Sequence, residues 1–267
     1  MGQNFENWGA SVPHGVEAHF YPECESTNAT AVSYARAGAN SPVWIIAGAQ
    51  TGGKGRKGRT WVSDEGNLYA SLLFSPDIEP SALLAMPYLA ALAVRDTLIT
   101  LGVVADNIKC KWPNDILVGG QKISGILIES SARSSNRLDY VIIGIGINLK
   151  HSPAEAQFPA TSLAEHLDGE ITPQVALQSL ANHMKLRLDA WDANDFEPVR
   201  AEWTNCAWGL GEIRQINTAT EAFDAKLVGL DGQGGLLVQL ENGTERQIVA
   251  ADIFPTTIES DEDTRCY

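Results

Sequence analysis

Basic side chains are scarce in this chain. Its 19 lysines and arginines stand against 33 aspartates and glutamates, a formal net charge of −14 over 267 residues. The average surface therefore repels nucleic acid and acidic membranes, and any anion-binding role has to come from a local basic cluster. Cysteine is scarcer still: Cys24, Cys110, Cys206 and Cys266 are widely scattered and form no C-x-x-C pair. That spacing argues against a zinc site or a disulfide framework and favours reduced thiols in a cytoplasmic protein. No basic segment followed by an apolar run opens the sequence, and Glu6 breaks the myristoylation pattern that Gly2 would begin. No apolar stretch is expected to reach the roughly 20 residues that span a bilayer, so no membrane association is expected.

Hydrophobic residues make up 44% of the chain and charged residues 19%, an ordinary globular balance. The length favours one large domain and a small one. Strands are expected at 16–21, 43–49, 67–74, 108–112, 116–118, 122–129 and 141–147. Ser26 and Thr27 offer hydroxyl caps for a helix that stops near Gly38. Further helices are expected at 83–101, where Pro87 is either a kink or the first turn, at 172–191, and near 198–203. From Gly211 onward the pattern changes to short strand-like runs at 212–216, 222–229, 236–240 and 245–249, separated by turns such as Asp231-Gly232 and Asn242-Gly243. Short strands at close, regular spacing suggest a small barrel. The expected division is 1–206, 207–258 and a polar tail at 259–267.

The basic cluster lies in Gln50-Thr51-Gly52-Gly53-Lys54-Gly55-Arg56-Lys57-Gly58-Arg59-Thr60-Trp61, where four basic side chains fall within six residues. Glycines let the backbone approach a ligand, and the cations neutralise a phosphate that the exposed amides orient. The run from Gly53 to Gly58 spells a dinucleotide fingerprint, and that from Gly53 to Thr60 nearly spells a Walker loop. Both motifs need a helix directly afterwards, whereas a polar turn and a strand follow here. Taken alone, the cluster fits a nucleotide site no better than it fits the bland alternative, a basic loop that is solvated or grips nucleic acid. A second stretch, Lys111-Trp112-Pro113-Asn114-Asp115, reads in isolation as a strand-ending turn. The strand that returns from the next turn begins at Lys122, close enough to meet the same ligand.

The loop from Gly53 to Trp61, the run from Lys111 to Asp115, Lys122-Ile123-Ser124-Gly125-Ile126-Leu127, and Gly144-Ile145-Gly146-Ile147-Asn148 occur in an order that resembles the biotin protein ligases; Ser26-Thr27-Asn28 matches a fifth element. The resemblance covers roughly residues 16–255. It implies an α+β fold: a mixed-sheet catalytic domain of the biotin/lipoate ligase type followed by a small SH3-like β-barrel. It also implies that biotin and ATP are condensed to biotinyl-adenylate with release of pyrophosphate, and that biotin then passes to one lysine of a biotin carboxyl carrier protein. Carried over by position, Ser26, Thr27, Asn28, Gln50, Gly53, Lys54, Gly55, Arg56 and Lys122 bind biotin. Arg56, Arg59, Trp61, Asn114, Lys122 and Asn148 serve ATP. Lys122, Arg56 and Asp115 are the catalytic candidates, with Asp115 placing either the carrier lysine or a magnesium ion. Magnesium is expected with ATP, though no ligands for it are assigned.

The chemistry suits these residues: a carboxylate and a triphosphate repel one another, and cations directed at the transition state gather and stabilise both. Lys54 and Lys57 stand where many relatives have arginine, which replaces fork-like phosphate contacts by point charges. Only about 15 residues precede the first strand, too few for a helix-turn-helix module, so no DNA binding is expected. Self-association as a homo-oligomer is left open. The rival readings are a lipoate or octanoate ligase of the same superfamily and a non-catalytic module that holds a carrier or nucleic acid.

Overall fold

A computed structural model describes residues 5–39, 42–134 and 137–256. The expected polar tail at 259–267, with Cys266, lies outside them. The chain divides into two units, Met1–Trp208 and Gly209–Tyr267.

In the first unit, β1 (Glu17–Cys24) leads into α1 (Thr27–Arg36) and then into β2 (Val43–Gln50), which lies parallel to β1. A helical crossover of this kind is what a parallel pair requires. The chain continues through β3 (Leu68–Phe74), α2 (Met86–Thr100), β4 (Ile108–Lys111), β5 (Asp115–Val118), β6 (Gln121–Ser134), β7 (Arg137–Ile147), α3 (Pro173–Ala190) and α4 (Glu197–Asn205). The seven strands form one sheet in the order β1-β2-β3-β7-β6-β5-β4, antiparallel except for the first pair. Residues 68–73 of β3 are all buried, so both faces of the sheet are covered there. On one face α1 packs Ala31 against Val43, Ile45, Leu73 and Ile142.

Pro87 falls in the first turn of α2, where its missing N–H costs no hydrogen bond; a short 3-10 turn, Pro80–Ala85, precedes it. By length and apolar composition Pro80–Thr100 could cross a bilayer, which corrects the expectation that no stretch approaches that size. Two-thirds of it is buried inside the first unit, where Tyr88, Leu89, Leu92 and Leu98 enter the core. Arg187 of α3 joins the three helices by binding Asp96 of α2 at 2.6 Å and Glu202 of α4 at 2.5 Å. Cys110 and Cys206, far apart in sequence, meet as buried thiols with their Sγ atoms 3.4 Å apart.

The second unit holds β8 (Ile213–Asn217), β9 (Ala222–Leu230), β10 (Leu236–Gln239), β11 (Glu245–Ile248) and β12 (Asp252–Pro255) in one antiparallel sheet, ordered β11-β10-β9-β8-β12. The last strand has no counterpart in the sequence expectations. It places Ile253 in the core through a register with β8.

Candidate functional site

Two glycines of β7, on the same face of the sheet, organise the site. A Cβ on Gly144 would lie 2.2 Å from Asn28 Oδ1, and one on Gly146 would lie 2.6 Å from Trp61 Nε1. Gly125, which pairs with Gly146 across β6 and β7, would meet the same indole at 2.8 Å. Bare backbone at these three positions lets the Asn28 carboxamide and the Trp61 ring settle directly on the sheet. The Trp61 indole N–H is buried there without a hydrogen-bond partner.

Around Asn28 the polar groups are mutually bonded and, apart from the Glu129 carboxylate, uncharged. The Thr27 amide donates to Gln50 Oε1 at 2.8 Å, and Gln50 Nε2 donates to Ser63 Oγ at 2.9 Å. Ser71 Oγ, fully buried in β3, lies 2.7 Å from Thr27 Oγ1 and 2.6 Å from Asn28 Oδ1. Asn28 Nδ2 donates to Glu129 Oε2 at 2.7 Å. Ser26 takes the N-cap position of α1 with extended backbone, yet its hydroxyl makes no capping bond. Capping by Ser26 and Thr27 is therefore not what the hydroxyls do: Thr27 is turned toward Gln50 and Ser71, and Ser26 is buried at the site's edge.

The charged part lies on β4, β5 and β6. Lys111 closes β4 and Asp115 opens β5, directly opposite in register across the turn Trp112-Pro113-Asn114. Lys122 Nζ lies 2.7 Å from Asp115 Oδ1, and Lys111 Nζ lies 3.6 Å from Asp115 Oδ2. The Lys111 and Asp115 side chains are 6% and 12% exposed and that of Lys122 25%, so the cluster is enclosed, with Lys122 its most exposed member. Lys122 Nζ also sits over the Trp61 ring, 5.2 Å from its centre. Two ammonium groups sharing one carboxylate suit a site that receives anions.

The basic loop closes on itself. Trp61 N donates to Gly53 O at 2.9 Å and Gly55 N to Arg59 O at 2.6 Å, leaving a tight turn, Arg56–Gly58, at the tip. Lys57 has φ 57° and Gly58 φ 73°, so the turn runs through left-handed backbone, which costs nothing at the glycine and strains the lysine. Gly53 has no room for a side chain: a Cβ would meet Ser63 Oγ and Trp61 O, each at 2.5 Å. Arg56 Nη1 reaches Asn114 Oδ1 at 3.5 Å, which joins the loop to the β4–β5 turn. Arg59 Nε donates to Arg56 O at 3.3 Å, and Lys54 Nζ lies 4.0 Å from Glu25. Asn114 Nδ2 donates to Ile126 O at 2.6 Å, and Asn148 Nδ2 to Thr161 O at 3.0 Å, so both carboxamides also hold backbone.

Residues 21–148 match the biotin/lipoate A/B protein ligase family, and residues 211–254 match the biotin protein ligase C terminal domain. The bifunctional ligase/repressor BirA of Bacillus subtilis is 34% identical over 246 residues, 90% of this chain and 74% of its own length. The biotin–[acetyl-CoA-carboxylase] ligase of Paracoccus denitrificans is 34% identical over 236 residues, 86% of this chain and 97% of its own. This chain belongs to the biotin protein ligases. A solved biotin protein ligase of Aquifex aeolicus, in complex with biotin and ATP, superposes with a TM-score of 0.76 at 27% identity, covering 90% of this chain and 99% of that one. The mixed-sheet catalytic fold with a C-terminal SH3-like unit is thus the architecture of biotin protein ligases.

Sequence reasoning overlooked several residues that brace this ligase site. Ser71 had a signal, as a hydroxyl in a strand otherwise buried and apolar. Asn67 Oδ1 accepts from the amides of Leu149, Lys150 and His151 at 2.9, 2.9 and 3.2 Å, which fixes the chain leaving β7. Phe158, whose ring lies under Lys111, had no signal at all, because it comes from a segment without periodicity.

Proposed function

We propose that this ligase joins biotin and ATP over the Trp61–Gly125–Gly146 patch and transfers biotin to a lysine of a biotin carboxyl carrier protein. One observation carries the assignment of residues: Lys122 and Lys111 converge on Asp115 beside the indole that lies on the bare sheet. The neutral network of Ser26, Thr27, Asn28 and Gln50 recognises the uncharged ring system of biotin through donors and acceptors already in place. Gly53, Lys54, Gly55 and Arg56 cover its carboxylate. Arg56, Arg59, Asn114 and Asn148, with Trp61, face the nucleotide.

In the first step a carboxylate oxygen of biotin attacks the α-phosphorus of ATP, and the bond to the β-phosphate oxygen breaks to release pyrophosphate. Lys122 offsets the charge of carboxylate and phosphate as they approach. Asp115 keeps the two ammonium groups aimed at that point. In the second step the neutral amine of the carrier lysine attacks the acyl carbon, AMP leaves with the bonding electrons of the acyl–oxygen bond, and the proton lost by the nitrogen passes to solvent.

Asp115 is already engaged by two lysines, and the described residues contain no group of three or more His, Cys, Asp or Glu that could hold a metal. Magnesium would accompany the ATP phosphates and shield their charge, in keeping with its preference for phosphate oxygens and water. The scarcity and scattered spacing of the cysteines support a cytoplasmic enzyme, where thiols stay reduced.

Exchange of labelled pyrophosphate into ATP tests the reading. It should depend on biotin and not on lipoate. Exchange with lipoate alone would assign the site to lipoate activation, and the absence of exchange with either acid would make the protein a binding module.

A further inference from the structure

We infer that Phe158 is a positioning residue for the adenylation step, with its ring face holding the Lys111 ammonium group and the segment that carries it holding Lys122. This rests on the function proposed above. Lys111 Nζ lies 4.7 Å from the centre of the Phe158 ring, inside the ~6 Å over which the negative face of an aromatic ring attracts a cation. Its contact with Asp115, at 3.6 Å, is longer than the 2.7 Å contact from Lys122, so Lys122 has the stronger hold on the shared carboxylate. A buried ammonium group gives up hydration, and a ring face returns part of what is lost.

The ring is itself fixed. Phe158 stands edge-on to Trp208, with centroids 5.5 Å apart and planes at 87°. The Trp208 amide donates to the carbonyl of Cys110, the residue before Lys111, at 2.8 Å. The segment 158–161 then reaches the second lysine by its backbone. Lys122 N donates to Pro159 O at 2.7 Å, and Thr161 N donates to Lys122 O at 2.9 Å. Four consecutive residues thus set the placement of both lysines about Asp115, one through a ring face and the other through two main-chain bonds. Phe158 touches no reacting atom in this assignment and acts through Lys111.

Two substitutions separate this role from simple packing. Phe158→Leu keeps apolar bulk and removes the ring; Phe158→Tyr keeps the ring face. Phe158→Leu should lower kcat for biotin-dependent pyrophosphate exchange about ten-fold, between the effects of an exposed and a fully desolvated cation–ring contact, while KM for biotin stays within about two-fold. Phe158→Tyr should restore kcat. In proton NMR the Lys111 side-chain methylenes, shifted upfield by the ring in wild type and Phe158→Tyr, should return to ordinary positions in Phe158→Leu. Unchanged kcat in folded Phe158→Leu, a change confined to KM, or equal losses in both variants would overturn the inference. Loss of biotin-dependent exchange in wild type would overturn the adenylation reading instead, and the NMR shift, which needs no turnover, would still judge the contact between Lys111 and Phe158.

Discussion

The first unit contains two charged triads of opposite composition. At the helices, two carboxylates share one guanidinium: Arg187 donates to Asp96 at 2.6 and 2.9 Å and to Glu202 at 2.5 and 2.7 Å. At the site, two ammonium groups share one carboxylate, Asp115, at 2.7 and 3.6 Å. A guanidinium is a rigid fork whose donors are committed in fixed directions, so Arg187 clamps α2, α3 and α4 in one arrangement. An ammonium group is a compact charge on a flexible stem and can exchange one anion for another. The fork belongs to the scaffold, and the interchangeable charges belong where anionic substrates arrive.

Removing a cation from each triad should separate rate from stability. Lys122→Ala should lower pyrophosphate exchange by about 100- to 1,000-fold, as loss of a charge aimed at the transition state does, in a chain that still folds but loses some stability because the enclosed Asp115 carboxylate keeps only Lys111. Near-normal exchange in the folded variant would remove Lys122 from the chemistry and erase the contrast. Arg187→Ala should leave exchange per folded molecule unchanged and lower unfolding stability by about 1 to 3 kcal/mol, less than for a fully buried pair because its partners are partly solvated. Denaturant midpoints measure this; a loss of rate without loss of stability would mean that the scaffold triad reaches the site.

Arg56 sharpens the comparison, since it is a fork placed in the site, on a loop that meets Asn114. If its guanidinium retains biotinyl-adenylate, Arg56→Gly should release it, and biotin on an unrelated lysine-rich protein should rise about ten-fold over wild type. Equal labelling with preserved folding would leave Arg56 as a solvated loop charge. The smallest effect is one of pH. The hydrogen bond from Arg187 holds the Glu202 carboxyl below its ordinary value of 4.5. A group depressed in the folded state adds stability above its unfolded value and loses it as pH falls through the folded one. The stability gap between wild type and Glu202→Gln should therefore be present at neutral pH, at about 1 kcal/mol or less for a half-exposed pair, and close on acidification below 4.5. A gap that holds constant into acid would show that charge is not what Glu202 contributes.

Sequence periodicity was enough for most elements, because alternation and helical spacing are local. Trp44, Ile45 and Ile46 in β2, and Leu68 to Leu73 in β3, announce buried strands without reference to partners. The chemistry of the site was legible for a similar reason: its cations, glycines and carboxamides sit in short dense runs at Gly53–Trp61 and Lys111–Asp115. β12 escaped because Asp252–Pro255 is short and becomes a strand only by pairing with β8.

Tertiary structure decided what each of those residues touches. Gly144 and Gly146 look alike in sequence, yet one makes room for Asn28 and the other for Trp61. Cys110 and Cys206 are scattered along the chain and adjacent in space. Asp115, a turn former by its neighbours, is the shared anion of Lys111 and Lys122 only once β4, β5 and β6 pair in register. Propensity and periodicity depend on a few neighbouring residues and can be read along the chain. A contact between distant residues depends on sheet register, where a shift of one residue turns every side chain to the opposite face, and that register is settled only when the whole core packs.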